Sequence, residues 1–212
     1  MKIFLISDNH FGSEEVINYF NRINPETDVL FKDANEMDAL MIERWNKTVK
    51  SEDIVFSIGD FTWSGDWKRP AHYWWEASQT YQYYLDQLHG QKILVHGNHD
   101  PWNKDPWEMG NNILQYKGRM FYLTHDPGWG GEKIPKNWSE WVIHGHHHWV
   151  PDYTDPKKTF YPFIDGKRKN VNVACEVVNY TPVSLDWLLS LDINTILRME
   201  TVTSKEERSI SQ

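Results

Sequence analysis

The chain has 212 residues, with 40% hydrophobic, 25% charged and 15% aromatic side chains, enough apolar material for the core of one domain. Twenty-two Lys and Arg against 30 Asp and Glu give a net charge of −8, so the surface as a whole does not attract nucleic acid or an anionic membrane. The mean hydropathy of −0.67, without an apolar run near the ~20 residues needed to cross a bilayer, excludes a membrane-spanning helix. A single cysteine, Cys175, excludes an internal disulfide and fits a reducing, cytoplasmic location.

Residues 2–7 form a short apolar run and are read as a strand. Ser13 is placed to cap a helix with Glu14 and Glu15 in its first turn and Val16, Tyr19 or Phe20, and Ile23 on its apolar face. Asp33 with Glu36 has the spacing of a capping box, followed at helical period by Met37, Leu40, Met41, Trp45, Thr48 and Val49. Residues 53–58 are a second strand. A third helix comes next, with Pro70 in its first turn, Trp74, Ala77, Tyr81, Leu85 and Leu88 on one face, and Gly90 closing it. Residues 92–95, 120–124 and 141–143 are further strands, and 170–175 alternates as a sixth. Residues 1–202 are expected to form one domain, and 203–212 a polar tail. Strand–helix alternation early and consecutive strands late predict an α/β core in which sheet packs on sheet and helices cover the outside.

The residues just past each strand carry the chemistry. The first strand leads into Asp8-Asn9-His10 and the second into Gly59-Asp60. The third leads into Gly97-Asn98-His99-Asp100, the fourth into His125-Asp126, and the fifth into Gly145-His146-His147-His148. Carboxyl ends of strands in an α/β sheet open on the crevice where ligands bind. Carboxylate, imidazole and amide without thiolate make a mixed N/O set suited to divalent first-row metals. Magnesium or calcium would use more oxygen, and structural zinc would use more than one Cys. Seven candidate ligands exceed one tetrahedral ion and suit two ions, about 3.5–4 Å apart, sharing a carboxylate.

Asp8-x-His10, Gly59-Asp60, Gly97-Asn98-His99-Asp100, His125 and Gly145-His146-x-His148, in this order, resemble the signature of the calcineurin-like metallophosphoesterases. The closing Asn172-Val173 and Pro182-Val183-Ser184-Leu185 resemble the end of small bacterial and phage members. The resemblance implies a four-layer αββα sandwich that hydrolyses phosphate esters. Asp8, His10 and His148 would hold a first divalent metal, and Asn98, His125 and His146 a second. Asp60 would bridge both, and a water or hydroxide between them would be the nucleophile. His99, with Asn98, would face the substrate phosphate, and Asp100 would orient His99. Manganese is the expected metal, with iron, nickel or zinc as alternatives. The oligomeric state is left open.

Two positions depart from the family pattern. Trp63 stands where Gly-Asp-x-x-Asp would place a carboxylate that supports a ligand, and Ser13 stands where phage-like members carry a His. Trp63 and Trp67, with Trp102 and Trp107, could wall the pocket and stack on a flat group. Off-stripe Trp75 could mark a subunit interface. Phosphodiesters are expected over monoesters. A nuclease would need a basic track, and Lys157-Lys158 with Lys167-Arg168-Lys169 is a short one. A protein-binding scaffold of the same fold would have lost ligands, and none is missing here.

Overall fold

The computed structural model describes residues 1–63, 72–100, 112–128, 134–148 and 161–202, with the backbone alone for 72–79. In chain order the elements are β1 (Ile3–Ile6), α1 (Glu15–Tyr19), β2 (Ile23–Asn24), β3 (Val29–Leu30), α2 (Ala34–Thr48), β4 (Ile54–Ile58), α3 (His72–Gln87) and β5 (Gln91–Val95). They continue with β6 (Ile113–Tyr116), β7 (Arg119–Thr124), β8 (Trp141–His144), β9 (Ile164–Asp165), β10 (Asn170–Asn172), β11 (Val183–Ser184), α4 (Leu185–Ser190) and β12 (Arg198–Met199). The six strands expected from the sequence are present. The short β6, β9, β11 and β12 and the β2–β3 hairpin are not among those expectations, because two to four residues carry too little pattern.

The strands form two larger sheets, ordered β11-β1-β4-β5 and β12-β9-β10-β8-β7-β6. β1, β4 and β5 are mutually parallel, as are β7, β8 and β10. Inward residues of both sheets, among them Phe4, Ile6, Val55, Leu123, Ile143 and Val171, belong to one hydrophobic cluster. This is the mixed α/β, two-sheet architecture expected. Among the described residues no helix is long and apolar enough to cross a membrane. The tail 203–212, Pro70, Trp67, Trp102, Trp107 and Lys157-Lys158 lie outside the described residues, as do the side chains of Trp74, Trp75 and Ala77.

The helices start largely where their caps place them. Asp33 accepts from the Glu36 amide at 2.9 Å and opens α2. The box is not reciprocal, because the Glu36 carboxylate goes to the Lys32 amide and to Asn24 Nδ2, both at 2.7 Å. Met37, Leu40, Met41 and Trp45 are buried along one face. Ser13 does not cap α1: Glu14 holds that position and makes no side-chain cap bond, while Ser13 is buried. α1 is too short for its period to reach Ile23, so Val16 and Ile17 are buried while Tyr19 is 77% exposed.

Asp38 is the polar member of the buried face of α2. Its Oδ2 accepts from the Tyr84 hydroxyl at 2.6 Å and from the Gly12 amide at 3.0 Å. Burial pushes its pKa up to about 6, against the lowering effect of those two bonds. A raised carboxyl pKa favours the protonated form in the fold, so its penalty is small below the unfolded value of about 4 and fully present above about 6. Asp38→Asn should therefore gain stability relative to the parent as pH rises from 4.5 to 8, by about 2 kcal/mol. Thermal unfolding at the two pH values measures this, and an offset independent of pH would contradict it.

Candidate metal centre

The parallel pairing of β1 with β4 continues past the strand ends. The Asp8 amide donates to Gly59 O, the His10 amide to Asp60 O and the Phe11 amide to Phe61 O, each at 3.0 Å. Asp8 and His10 therefore run beside Asp60, and Asn98, His99 and Asp100 come after β5 on the other side of β4. In the second sheet His125 comes after β7, and His146 and His148 after β8. The two sheets meet here. Beyond β10 the chain crosses to the first sheet, where the Ser7 amide donates to Val173 O and the Cys175 amide to Ser7 O. The crossing brings both sets of loops to one edge.

Two groups of candidate ligand atoms result, Asp8 with His10 and His148, and Asp60 with His125 and His146, each within 4.8 Å of one another. In the first, His148 Nε2 lies 3.3 Å from both Asp8 Oδ1 and His10 Nε2. In the second, His125 Nε2 lies 3.2 Å from Asp60 Oδ2, 3.1 Å from Asn98 Oδ1 and 3.3 Å from His146 Nδ1. Asp60 Oδ2 is also 3.7 Å from His10 Nε2, so one carboxylate oxygen faces both groups. Imidazole nitrogens and carboxylate oxygens converging in this way fit two divalent ions of the first row.

The backbone is bent to present these side chains. Asp8, His10, Asp60 and His146 all have positive φ, between 49° and 66°, a region costing L-residues other than glycine roughly 1–3 kcal/mol each. Among the described residues, four of the eleven non-glycine residues with positive φ lie at this edge. Two glycines make room. A Cβ on Gly97 would strike the Asp60 amide and Oδ1, and one on Gly145 would strike Ser7 Oγ and Asp8 Oδ2.

Charge is balanced within the site. Burial opposes protonation of His125, yet the Asp60 and Asp8 carboxylates push its pKa up to about 10. Burial opposes it in His148 too, where Glu176 and Asp8 push it up to about 9. Asp8 and Asp60 remain below the usual carboxylate range despite burial, because these imidazoles face them. His10, equally buried, is held well below its ordinary value by desolvation.

One residue departs from the sequence-based expectations. Asp100 does not orient His99. Its Oδ2 accepts from the amides of Asp60 (2.8 Å) and Gly97 (2.9 Å), and its Oδ1 from the Phe61 amide (2.8 Å), so it clamps the loop after β4 to the loop after β5. Burial and the neighbouring Asp60 charge raise its pKa to about 6. His99 instead stacks on Trp63, with centroids 3.9 Å apart and planes at 18°, and sets an edge against His10. Trp63, where the family pattern would place a carboxylate, is thus a wall beside both rings.

Sequence reasoning missed Arg22 and Glu176. Glu176 Oε1 lies 3.0 Å from His148 Nδ1 and 2.6 Å from Arg22 Nε. Glu176 is held ionised, down to about 2, by Arg22 and His148 despite its burial. The one available signal was Glu176 standing alone among Val173, Ala174, Cys175, Val177 and Val178, while Arg22 lies in a polar stretch, and neither residue sits in a motif.

His147 turns away from the candidate ligands and stacks on Tyr161, with centroids 3.7 Å apart, and His144 is buried with its Nδ1 2.8 Å from Gly145 O.

Gly145→Ala should drive a methyl into Ser7 and Asp8, lowering stability by roughly 1–3 kcal/mol and reducing metal content. Thermal unfolding and elemental analysis check this, and parent-like values in both would contradict it.

The chain matches the family model described as calcineurin-like phosphoesterase over residues 1–198. It is 35% identical over 190 residues to an uncharacterized protein of Methanocaldococcus jannaschii, with 90% of each chain covered. A crystal structure of a protein of unknown function from Aquifex aeolicus shares the fold, with a TM-score of 0.58 at 23% identity, covering 90% of this chain and 98% of that one. With strand-end loops gathering two metal-binding groups around Asp60, these matches mean that the chain belongs to the calcineurin-like phosphoesterases, metal-dependent hydrolases of phosphate esters.

Proposed function

We propose that the protein hydrolyses phosphodiesters with two divalent ions, manganese first among them, and that it works in the cytoplasm. The observation that carries the dinuclear part is Asp60 Oδ2, 3.7 Å from His10 Nε2 and 3.2 Å from His125 Nε2. Asp8, His10 and His148 would hold the first ion, Asn98, His125 and His146 the second, and Asp60 would serve both. When bound, such ions polarise phosphoryl oxygens and lower the pKa of water to about 7. His99 and Asn98 meet the substrate phosphate. The His99 amide is anchored to Asp60 Oδ1 at 2.8 Å and its ring rests on Trp63, so the imidazole is positioned before substrate arrives. Asp100 holds the two loops in register through backbone amides rather than touching substrate.

Trp63 supports the diester preference. It places an indole beside His99 and His10, where a flat leaving group can rest. The net charge of −8 gives a doubly charged monoester no long-range attraction. Lone, buried Cys175 fits a reducing compartment.

Asp60→Asn should weaken both ions, whereas His10→Ala should mainly weaken the first. Elemental analysis of protein loaded with manganese checks this, and a fully loaded parent with one ion would overturn the dinuclear reading. A bis-aryl phosphate should be cleaved faster than the matching mono-aryl phosphate, and a tenfold preference for the monoester would overturn the diester assignment.

His99→Ala should keep both ions while kcat falls by roughly 100-fold or more, the range of general acid–base help. A smaller loss for good leaving groups would mark His99 as the proton donor, and a uniform loss would mark it as a hydrogen-bond donor to the phosphoryl oxygen. Metal loss as large as in His146→Ala would make it a ligand instead.

A further inference from the structure

His148 differs from the other candidate ligands in what stands behind it. Its Nε2 faces Asp8 and His10, and its Nδ1 lies 3.0 Å from Glu176 Oε1. Arg22, with no exposed surface, donates to the same Oε1 at 2.6 Å. Its other nitrogens donate to Asp8 O at 2.5 Å and Asn9 O at 2.8 Å. One guanidinium thus ties Glu176, beyond β10, to the loop that carries Asp8 and His10. The second group has no counterpart among the described residues: His125 Nδ1 lies 2.9 Å from the carbonyl of Ile58, a neutral acceptor.

We infer that Glu176 and Arg22 are positioning residues for the first group, fixing His148 with Nε2 toward Asp8 and His10 so that retention of the first ion, and not the second, depends on this buried ion pair. Accepting a hydrogen bond from His148 Nδ1 selects the tautomer whose Nε2 lone pair is available to a cation and raises its basicity. Arg22 keeps the carboxylate in place and holds the Asp8 loop to it. Neither residue touches substrate. Stability alone is a poor reason for such a pair, because desolvation offsets most of what a buried ion pair gains.

The inference rests on the ligand assignment proposed above, and the test separates the two. Metal-free protein is titrated with manganese by calorimetry in two backgrounds, His146→Ala to leave the first group and His10→Ala to leave the second. Glu176→Gln should weaken the ion in the first background by roughly 10- to 100-fold and change the second by less than about twofold. Should Glu176→Gln leave Arg22 unpaired and the protein unfolded, Arg22→Met with Glu176→Gln removes both charges together, and circular dichroism monitors its fold. That double variant should show the same selective loss. Parent affinity in the first background, or equal weakening in both, would overturn the inference. A parent that takes up fewer than two ions would overturn the ligand assignment instead.

Discussion

Two carboxylates, Asp8 and Asp60, are buried side by side at the ends of adjacent parallel strands, and much of the surrounding structure serves to accommodate them. An ionised carboxylate withdrawn from water costs several kcal/mol unless opposite charge and hydrogen-bond donors replace the solvent. Here the replacement comes from imidazoles on the second sheet and from backbone amides. His146 donates its amide to Asp8 Oδ2 at 2.9 Å, and His99 donates its amide to Asp60 Oδ1 at 2.8 Å. The raised pKa values of His125 and His148 have the same origin, since the carboxylates of Asp60, Asp8 and Glu176 face their rings. A pair of divalent cations satisfies the same electrostatic demand.

The demand extends into the backbone. The loops after β5 and β8 can pass this close to the carboxylates only without a side chain, and Gly97 and Gly145 stand where a Cβ would strike Asp60 and Asp8. Left-handed φ at Asp8, His10, Asp60 and His146 turns the chain so that successive side chains face the edge. Strain of this kind persists when the surroundings over-determine it, and the Asp100 clamp and the crossing segment beyond β10 do so. Rigidity here serves hydrolysis, because a phosphoryl centre is stabilised best by groups that need not reorganise.

The motif order along the chain makes the edge legible. A strand contributes its chemistry just past its carboxyl end, so Asp8, Asp60, Asn98 to Asp100, His125 and His146 to His148 can be collected before any contact is known. Local signals also locate α2, since Asp33 as a cap and the Met37–Trp45 stripe involve residues within one helix. Ser13 misleads because a cap preference is weak beside burial, and the buried Ser13 side chain faces the interior instead.

What the sequence does not disclose are relations between residues far apart in the chain. The family resemblance pairs Asp100 with its neighbour His99, yet Asp100 bonds to amides 39 and 40 positions away. Glu176 and Arg22 are separated by 154 residues and meet only because the chain beyond β10 leaves its own sheet to pair with Ser7. Trp63 reads as an absent carboxylate and as a candidate wall of the pocket, and only the fold sets its ring against His99. Residue type and spacing therefore specify which chemistry the chain carries, because ligand atoms and strand ends are local properties. Which groups orient, neutralise and wall that chemistry is decided by packing, since a buried charge takes its partner from whatever the fold places beside it.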